Sequence, residues 1–316
     1  MSLFIAKRLA TLVLTLIFTS VIIFVVMEIL PGDPALLILG IDAPDEAVAA
    51  LRGQLGLDRP PLARYLAWIG GIAVGEFGQS YTYQVPVWQL IGDRLEITLP
   101  LTLLAMAMAI VAALAMGIYA AARHNRAGDV AVMTASQVGI SIPNFWLGIL
   151  LISAFAVGLG WFSAGGFPGW DKGLWPALKA LLLPAISLAV VQAAILARVT
   201  RSAMLEVMRE DFVRTARAKG LTRRAVLWRH VVRNALIPVV TITGLQFGFL
   251  LTGAIVVEQV FNLPGLGRLV FSAISDRDVE VVKNCVMLIA FLVIGINFVV
   301  DMLYAAIDPR LKPADV

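Results

Sequence analysis

The stretch from Thr98 to Ala122 reads TLPLTLLAMAMAIVAALAMGIYAAA, 25 residues without a charge. A helix rises about 1.5 Å per residue, so about 20 residues cross a hydrocarbon core of about 30 Å. This stretch is long enough to span a bilayer, and charge returns on both sides, with Arg94 and Glu96 before it and Arg123 and Arg126 after it. Five more apolar runs of similar length surround it, at Leu9 to Leu30, Val132 to Val157, Pro176 to Ala197, Ala235 to Val257 and Asn284 to Ile307. The expected fold is all-α, a polytopic membrane protein with six transmembrane helices. The third and fourth spans are the least sharply bounded, because no charge interrupts Val130 to Trp170 and Pro143 and Pro184 break the patterns.

The composition points the same way. Of 316 residues, 60% are hydrophobic and only 15% charged, with a mean hydropathy of +0.89. Soluble domains are nearer half apolar and a quarter charged, and are excluded. The single cysteine, Cys285, rules out a disulfide framework, a thiol pair and a CxxC zinc cluster, and reads as a small buried residue. Two histidines, His124 and His230, both in connections, leave little for a metal site. The net charge of +4 sits in segments joining the spans, which points to membrane topology rather than to nucleic acid.

Charge also gives an orientation. With the N-terminus inside, the inner side carries 16 of 25 basic residues and 6 of 21 acidic ones, so the positive-inside rule places both termini in the cytoplasm. Lys7 and Arg8 before an apolar run also begin secretory signals. This run is about 22 residues long and ends at Leu30-Pro31-Gly32-Asp33-Pro34 without a small-x-small cleavage site, so it reads as a retained helix. The expected organisation is an N-terminal transmembrane helix (1–30), an external segment (31–97), a five-helix core (98–307) containing a long inner loop (198–234), and a cytoplasmic tail (308–316). The external segment holds Tyr65, Trp68, Phe77, Tyr81 and Trp88, which suits a small folded cap with helices at 45–55 and 61–70.

The inner loop carries a net charge of +7. Met204, Met208, Phe212 and Ala216 recur every four positions, which predicts one helix face, with Arg209, Arg214, Arg217 and Lys219 around the rest. Gly220 is placed to end that helix in a left-handed cap, and Thr222 to cap a second one. Charge and periodicity alone allow two readings, a basic helix lying on anionic headgroups or a docking lever for a cytoplasmic partner.

A family resemblance separates them. Asp211-Phe212-Val213-Arg214-Thr215-Ala216-Arg217-Ala218-Lys219-Gly220-Leu221, followed by Arg229-His230 and Arg233-Asn234-Ala235-Leu236-Ile237-Pro238, resembles the cytoplasmic signature loop of binding-protein-dependent ABC importers. The variant resembles that of the dipeptide/oligopeptide/nickel permease group, and the long external segment after the first span resembles that of the group's B-type subunit. Against the general Glu-Ala-Ala-x-x-x-Gly form, Arg214 and Thr215 stand in place of Glu and Ala, while Ala216 and Gly220 are kept. Phe77-Gly78-Gln79-Ser80-Tyr81, Ser141 to Trp146, Ala197 to Ser202, Pro264-Gly265-Leu266-Gly267 and Asp308-Pro309-Arg310 match in the same order. The resemblance implies an importer subunit of the bacterial inner membrane. Its partners would be a second related permease, two ATPase subunits that bind ATP and Mg, and a soluble binding protein that delivers peptides, glutathione, nickel chelates or sugars. Asp211, Phe212 and Arg214 to Gly220 would be the ATPase-coupling segment. No cofactor is expected in this chain.

No enzyme site emerges, since the spans hold no nucleophile and base, paired acids or metal ligands, and no GxxxxGK[ST] phosphate loop occurs. An autonomous secondary transporter or channel is the alternative, for which the inner loop would have no use. Polar side chains facing lipid are unfavourable, so Gln137, Ser141, Asn144, Gln192, Thr241, Thr243 and Gln246 read as packing contacts or pathway lining. Gln246, between Gly244 and Gly248, is the first pathway candidate, with Gln192 and Asn144 beside it. Among acids at span ends, Glu28, Asp301 and Glu258 read as interfacial or paired, with Glu258 the candidate for a gate or subunit contact.

Overall fold

The computed structural model describes residues 2–29, 34–40 and 42–307. Residues 30–33 and 308–316 lie outside the described residues, and with them most of Leu30 to Pro34 and all of Asp308-Pro309-Arg310. In chain order the helices are α1 (Ser2–Ile29), α2 (Pro34–Leu39), α3 (Asp45–Gln54), α4 (Pro61–Val74), α5 (Val87–Ala122), α6 (Ala127–Ser141), α7 (Asn144–Leu151), α8 (Leu174–Val207), α9 (Asp211–Ala218), α10 (Arg223–Val226), α11 (Arg233–Val260), α12 (Leu266–Ser275) and α13 (Val279–Ile307). Wider π-type turns extend α7 over Ile152–Gly158 and join α10 to α11 over Leu227–Val232. Among the described residues no strand forms, and extended pairing is limited to one bridge between Gln79 and Pro86.

Five helical runs among the described residues are long and apolar enough to cross a membrane: Phe4–Ile29, Val87–Ala122, Leu174–Val207, Arg223–Val260 and Val279–Met302. The sixth expected span is not straight. α6 and α7 meet at an angle of 99° and make one span only if the bent pair is counted together. The break has a local cause: the residue before a proline is pushed out of the helical region, and Ile142 sits extended at ψ 121 ahead of Pro143. Pro184, by contrast, lies inside α8 without ending it, and its carbonyl accepts a 2.8 Å bond from the Ser187 hydroxyl. The carbonyl that loses its partner to the absent Pro184 N–H is that of Ala180, one turn earlier, and the helix carries the proline within a stretch buried on most sides.

The chain divides into two compact units. One comprises 1–5, 99–263 and 296–316. Its centre is α8, with Leu181, Leu188 and Leu196 fully buried, and α6, α7 and α11 pack against it. Small residues permit this closeness: a Cβ on Gly117 of α5 would lie 2.6 Å from the Thr200 side chain of α8.

The other unit comprises 6–98 and 264–295. Val87 and Ile91 of α5 share a core with Leu266, Leu269, Val281 and the fully buried Cys285. α5 therefore starts well before Thr98, since the exposed Asp93 and Glu96 ride on its opposite face. α3 and α4 stand where the two short helices were expected. Asp278 fastens the base of α13: its Oδ1 accepts from the Val281 N–H at 3.2 Å, while Oδ2 accepts from the Ser80 hydroxyl at 2.5 Å and the Thr82 N–H at 3.1 Å.

Candidate functional site

The inner loop folds into a short helix held between two long ones. α8 ends at Val207, and a turn leads to Glu210, whose extended backbone starts α9. That turn corrects the expected face of Met204, Met208, Phe212 and Ala216 at one residue: Met204, Met208 and Ala216 share an apolar cluster and Phe212 does not. It resets the register, so Val213 (0% exposed) and Ala216 (7%) face inward while Phe212 is 42% exposed. Val213 and Ala216 pack with Ala203 and Met204 of α8, Ala121 of α5, and Val226 and Val231 beyond the loop. Asp211, Arg214, Thr215, Arg217, Ala218 and Lys219 are exposed around the remaining surface. Arg214 donates to Asp211 at 3.2 Å, an exposed pair worth under about 1 kcal/mol.

Both ends of the turn after α9 are locked. The Gly220 N–H donates to the Arg217 carbonyl at 3.0 Å and the Leu221 N–H to the Ala216 carbonyl at 3.4 Å. This is the paired pattern that closes a helix through a left-handed residue, and Gly220 has φ +84°. Leu221 then packs on the same apolar cluster as Ala216. Thr222 caps the next helix as its sequence position suggested, its Oγ1 accepting from the Ala225 N–H at 3.3 Å.

Two of the polar candidates within the spans are brought together. Gln246 Nε2 of α11 donates to Gln192 Oε1 of α8 at 2.9 Å, and both side chains are buried. Asn144, half-buried at the start of α7, lies against Gly253 two turns further along α11. Glu258 is fully buried near the end of α11. The Ser141, Thr241 and Thr243 hydroxyls donate to carbonyls of their own helices at 2.9, 3.2 and 2.8 Å. Glu28 pairs with Arg64. In the 31–97 segment, burial, aided by the charge of Glu280, pushes the Tyr81 phenol above its ordinary pKa, and its hydroxyl donates to Glu280 at 3.3 Å.

Sequence reasoning passed over Asp129, at the start of α6 and 2% exposed. Its carboxylate receives Arg201 Nε at 2.5 Å and Nη2 at 2.8 Å, together with the Asn125 N–H at 2.9 Å. His124 Nδ1 stands 3.3 Å away. A forked guanidinium–carboxylate contact is among the stronger polar links, and this one fixes the α5–α6 turn to α8 shortly before α9. Arg201 belongs to a stretch already singled out. The clue to its partner was an acid in the first turn of a helix, where the backbone dipole favours it.

An all-helical chain of apolar spans, with a small amphipathic helix locked between two of them, defines a polytopic membrane transport subunit. Residues 113–313 match the family model of the binding-protein-dependent transport system inner membrane component, and residues 1–102 match that component's N-terminal model. The chain belongs to this family: it is an ABC importer permease of the dipeptide/oligopeptide group and a multi-pass protein of the bacterial inner membrane. It is 43% identical over 314 residues to a Brucella abortus (strain 2308) protein assigned to peptide transport as a system permease, covering 99% of each chain. It is 44% identical over 309 residues to the glutathione transport system permease protein GsiC of Salmonella choleraesuis (strain SC-B67), covering 98% of each. The fold is similar to an inward-facing structure of the MetNI methionine ABC transporter, with TM-score 0.59 and 20% identity over 70% of this chain and 97% of that one.

Proposed function

We propose that this chain forms half of the pathway of an ATP-driven importer for peptides or similar small solutes. The names of its relatives, peptide and glutathione permeases, support that substrate class. A second, related permease supplies the other half, a soluble binding protein delivers solute from outside, and two ATPase subunits bind ATP and Mg. Both termini lie in the cytoplasm, as the charge count requires, and the 31–97 segment lies outside.

The observation that carries this reading is α9. A helix anchored by Val213 and Ala216, closed by Gly220 and bare on its charged side is built to receive a protein surface. Phe212, Arg214, Thr215, Arg217, Ala218 and Lys219 form the docking side, with Asp211 at its start. Displacement there moves α8 and the run into α11, and the pathway alternates between its openings. Gln192, Gln246 and Asn144 line the seam between α7, α8 and α11, which must loosen for any of the three amides to meet solute. Glu258 serves as a gate or subunit contact.

The test is uptake of labelled peptides or glutathione into proteoliposomes holding the complete complex. Uptake should require both the binding protein and ATP inside, and ATP hydrolysis should be absent from this subunit alone. Solute flux through this chain without its partners would overturn the proposal.

A further inference from the structure

The unit formed by 6–98 and 264–295 contains a cavity of about 1170 Å³ that the transport reading does not use. Small-molecule sites enclose roughly 300 to 1,000 Å³, so this one has room for a larger ligand. Its apolar wall comes from Ile22, Val26 and Met27 in the last turns of α1, with Ile274 and Val286 of α12 and α13. α1 ends as a span at Ile29, so the cavity sits at the depth where acyl chains give way to headgroups.

Its lining is also charged, with Arg59, Arg64, Arg277 and Lys283 against Glu28, Glu76 and Glu280. Lys283 pairs with Glu280 and Arg64 with Glu28, which holds two of the three acids. Arg64 Nε is nonetheless buried without a hydrogen-bond partner among the described residues. A buried donor left unpaired is costly, and an acceptor that completes it is favoured. Arg59, which is exposed, lines the same cavity. The occupant must therefore offer an apolar tail to α1 and α13 and an anionic acceptor to two guanidinium groups. Phospholipid is the molecule that fills both requirements at that depth and is present there in bulk.

We propose that this cavity holds one phospholipid, its phosphodiester at Arg59 and Arg64 and an acyl chain along Ile22, Val26 and Val286. Bound there, the lipid is part of the wall between α1, α4 and α13 rather than one of the exchanging lipids around the outer faces.

The test uses the complete importer complex in nanodiscs containing phosphatidylglycerol with a diazirine near the end of one acyl chain. After irradiation, peptides covering 22–28 and 279–286 should carry more label than the peptide around Leu14 and Phe18, whose side chains are each 67% exposed on α1 and lie outside the cavity's lining. Arg59→Gln should cut the excess by about fivefold, the factor expected for one basic residue near an anionic headgroup. Ala67→Trp puts a ring into the cavity from an exposed position on α4 and should abolish the excess while leaving label at 14–18 unchanged. Equal labelling of the two regions of α1 would mean surrounding lipid only and overturn the proposal. So would an excess at 22–28 and 279–286 that Ala67→Trp leaves unchanged.

Discussion

Replacing Gly220 by valine tests the lever at its narrowest point. A Cβ built on Gly220 meets no atom within 4 Å, so the side chain itself clashes with nothing. The cost is in the backbone: at φ +84° a residue with a side chain pays about 1–2 kcal/mol, and a β-branched one fits that region worst. Relief requires leaving the left-handed conformation, which breaks the Gly220 to Arg217 and Leu221 to Ala216 bonds that close α9. One to two kcal/mol shifts the equilibrium between locked and open turn by a factor of about 5 to 30. The spans are untouched, so the variant should insert and accumulate normally. Binding-protein-stimulated ATP hydrolysis by the complex in nanodiscs should fall at least fivefold, in step with that factor. Gly220→Asn should retain most activity, because asparagine enters the left-handed region readily, and Gly220→Ala should fall between. If valine couples as well as glycine, or asparagine fails as badly as valine, the locked turn does not transmit the coupling.

Asp129→Asn removes the charge that Arg201 brackets from two sides, and should cost about 1.5–3 kcal/mol in thermal unfolding of the complex. With Arg201→Gln added, the loss should be less than the sum of the single changes, since the two groups share one interaction. Asp278→Ala loses a helix cap worth about 1 kcal/mol together with the Ser80 and Thr82 contacts, so hydrogen exchange should quicken at 80–82 and in the first turn of α13. Gly244→Leu drives a side chain into Val300 and should cost about 1–3 kcal/mol, part of which Val300→Ala should restore. A reporter active only outside the cytoplasm should work at Gln54 and Asp171 and fail within Arg214 to Arg224 or after Val316. External activity at Arg217 would reverse the topology.

The spans were legible because hydropathy summed over about twenty residues leaves few alternatives. Their ends were not, since the sequence reading began the second span at Thr98, after Arg94 and Glu96, whereas the helix starts at Val87 and turns Asp93 and Glu96 away from the core of Val87 and Ile91. The two flagged prolines behaved differently for a reason invisible in composition. Pro143 pushes Ile142 into the extended region and breaks the helix there, whereas Pro184 sits inside a helix buried on most sides, whose packing holds it straight through the missing bond. The four-residue rhythm placed Met204, Met208 and Ala216 on one apolar cluster and failed at Phe212, because a turn at Met208 to Glu210 restarts the helix and brings Val213 inward in its place. Gln192 and Gln246 stood out as amides in apolar runs, yet nothing local paired them. The Asp129–Arg201 link joins residues far apart in sequence, and only the tertiary fold brings them into register.

The energetics of α9 bear directly on how such a loop can work. Isolated helices shorter than about 12–15 residues are marginal in water, so the eight residues of α9 are held by what lies beneath them. Burying the Val213 side chain contributes about 1.5–3 kcal/mol, far more than the exposed Arg214–Asp211 pair. The charged side can therefore trade its contacts for those of a partner at little cost, while the apolar side keeps its grip on Ala203 and Met204. Those two residues belong to α8, which continues unbroken to Gln192, and Val226 and Val231 begin the helical run that reaches Gln246. The Asp129–Arg201 pair binds α6 to the same length of α8. On the proposed docking role, a push on α9 would reach the glutamine pair through packed helices rather than through loop, and Ala216, the small residue at the contact, is where added volume would separate push from response.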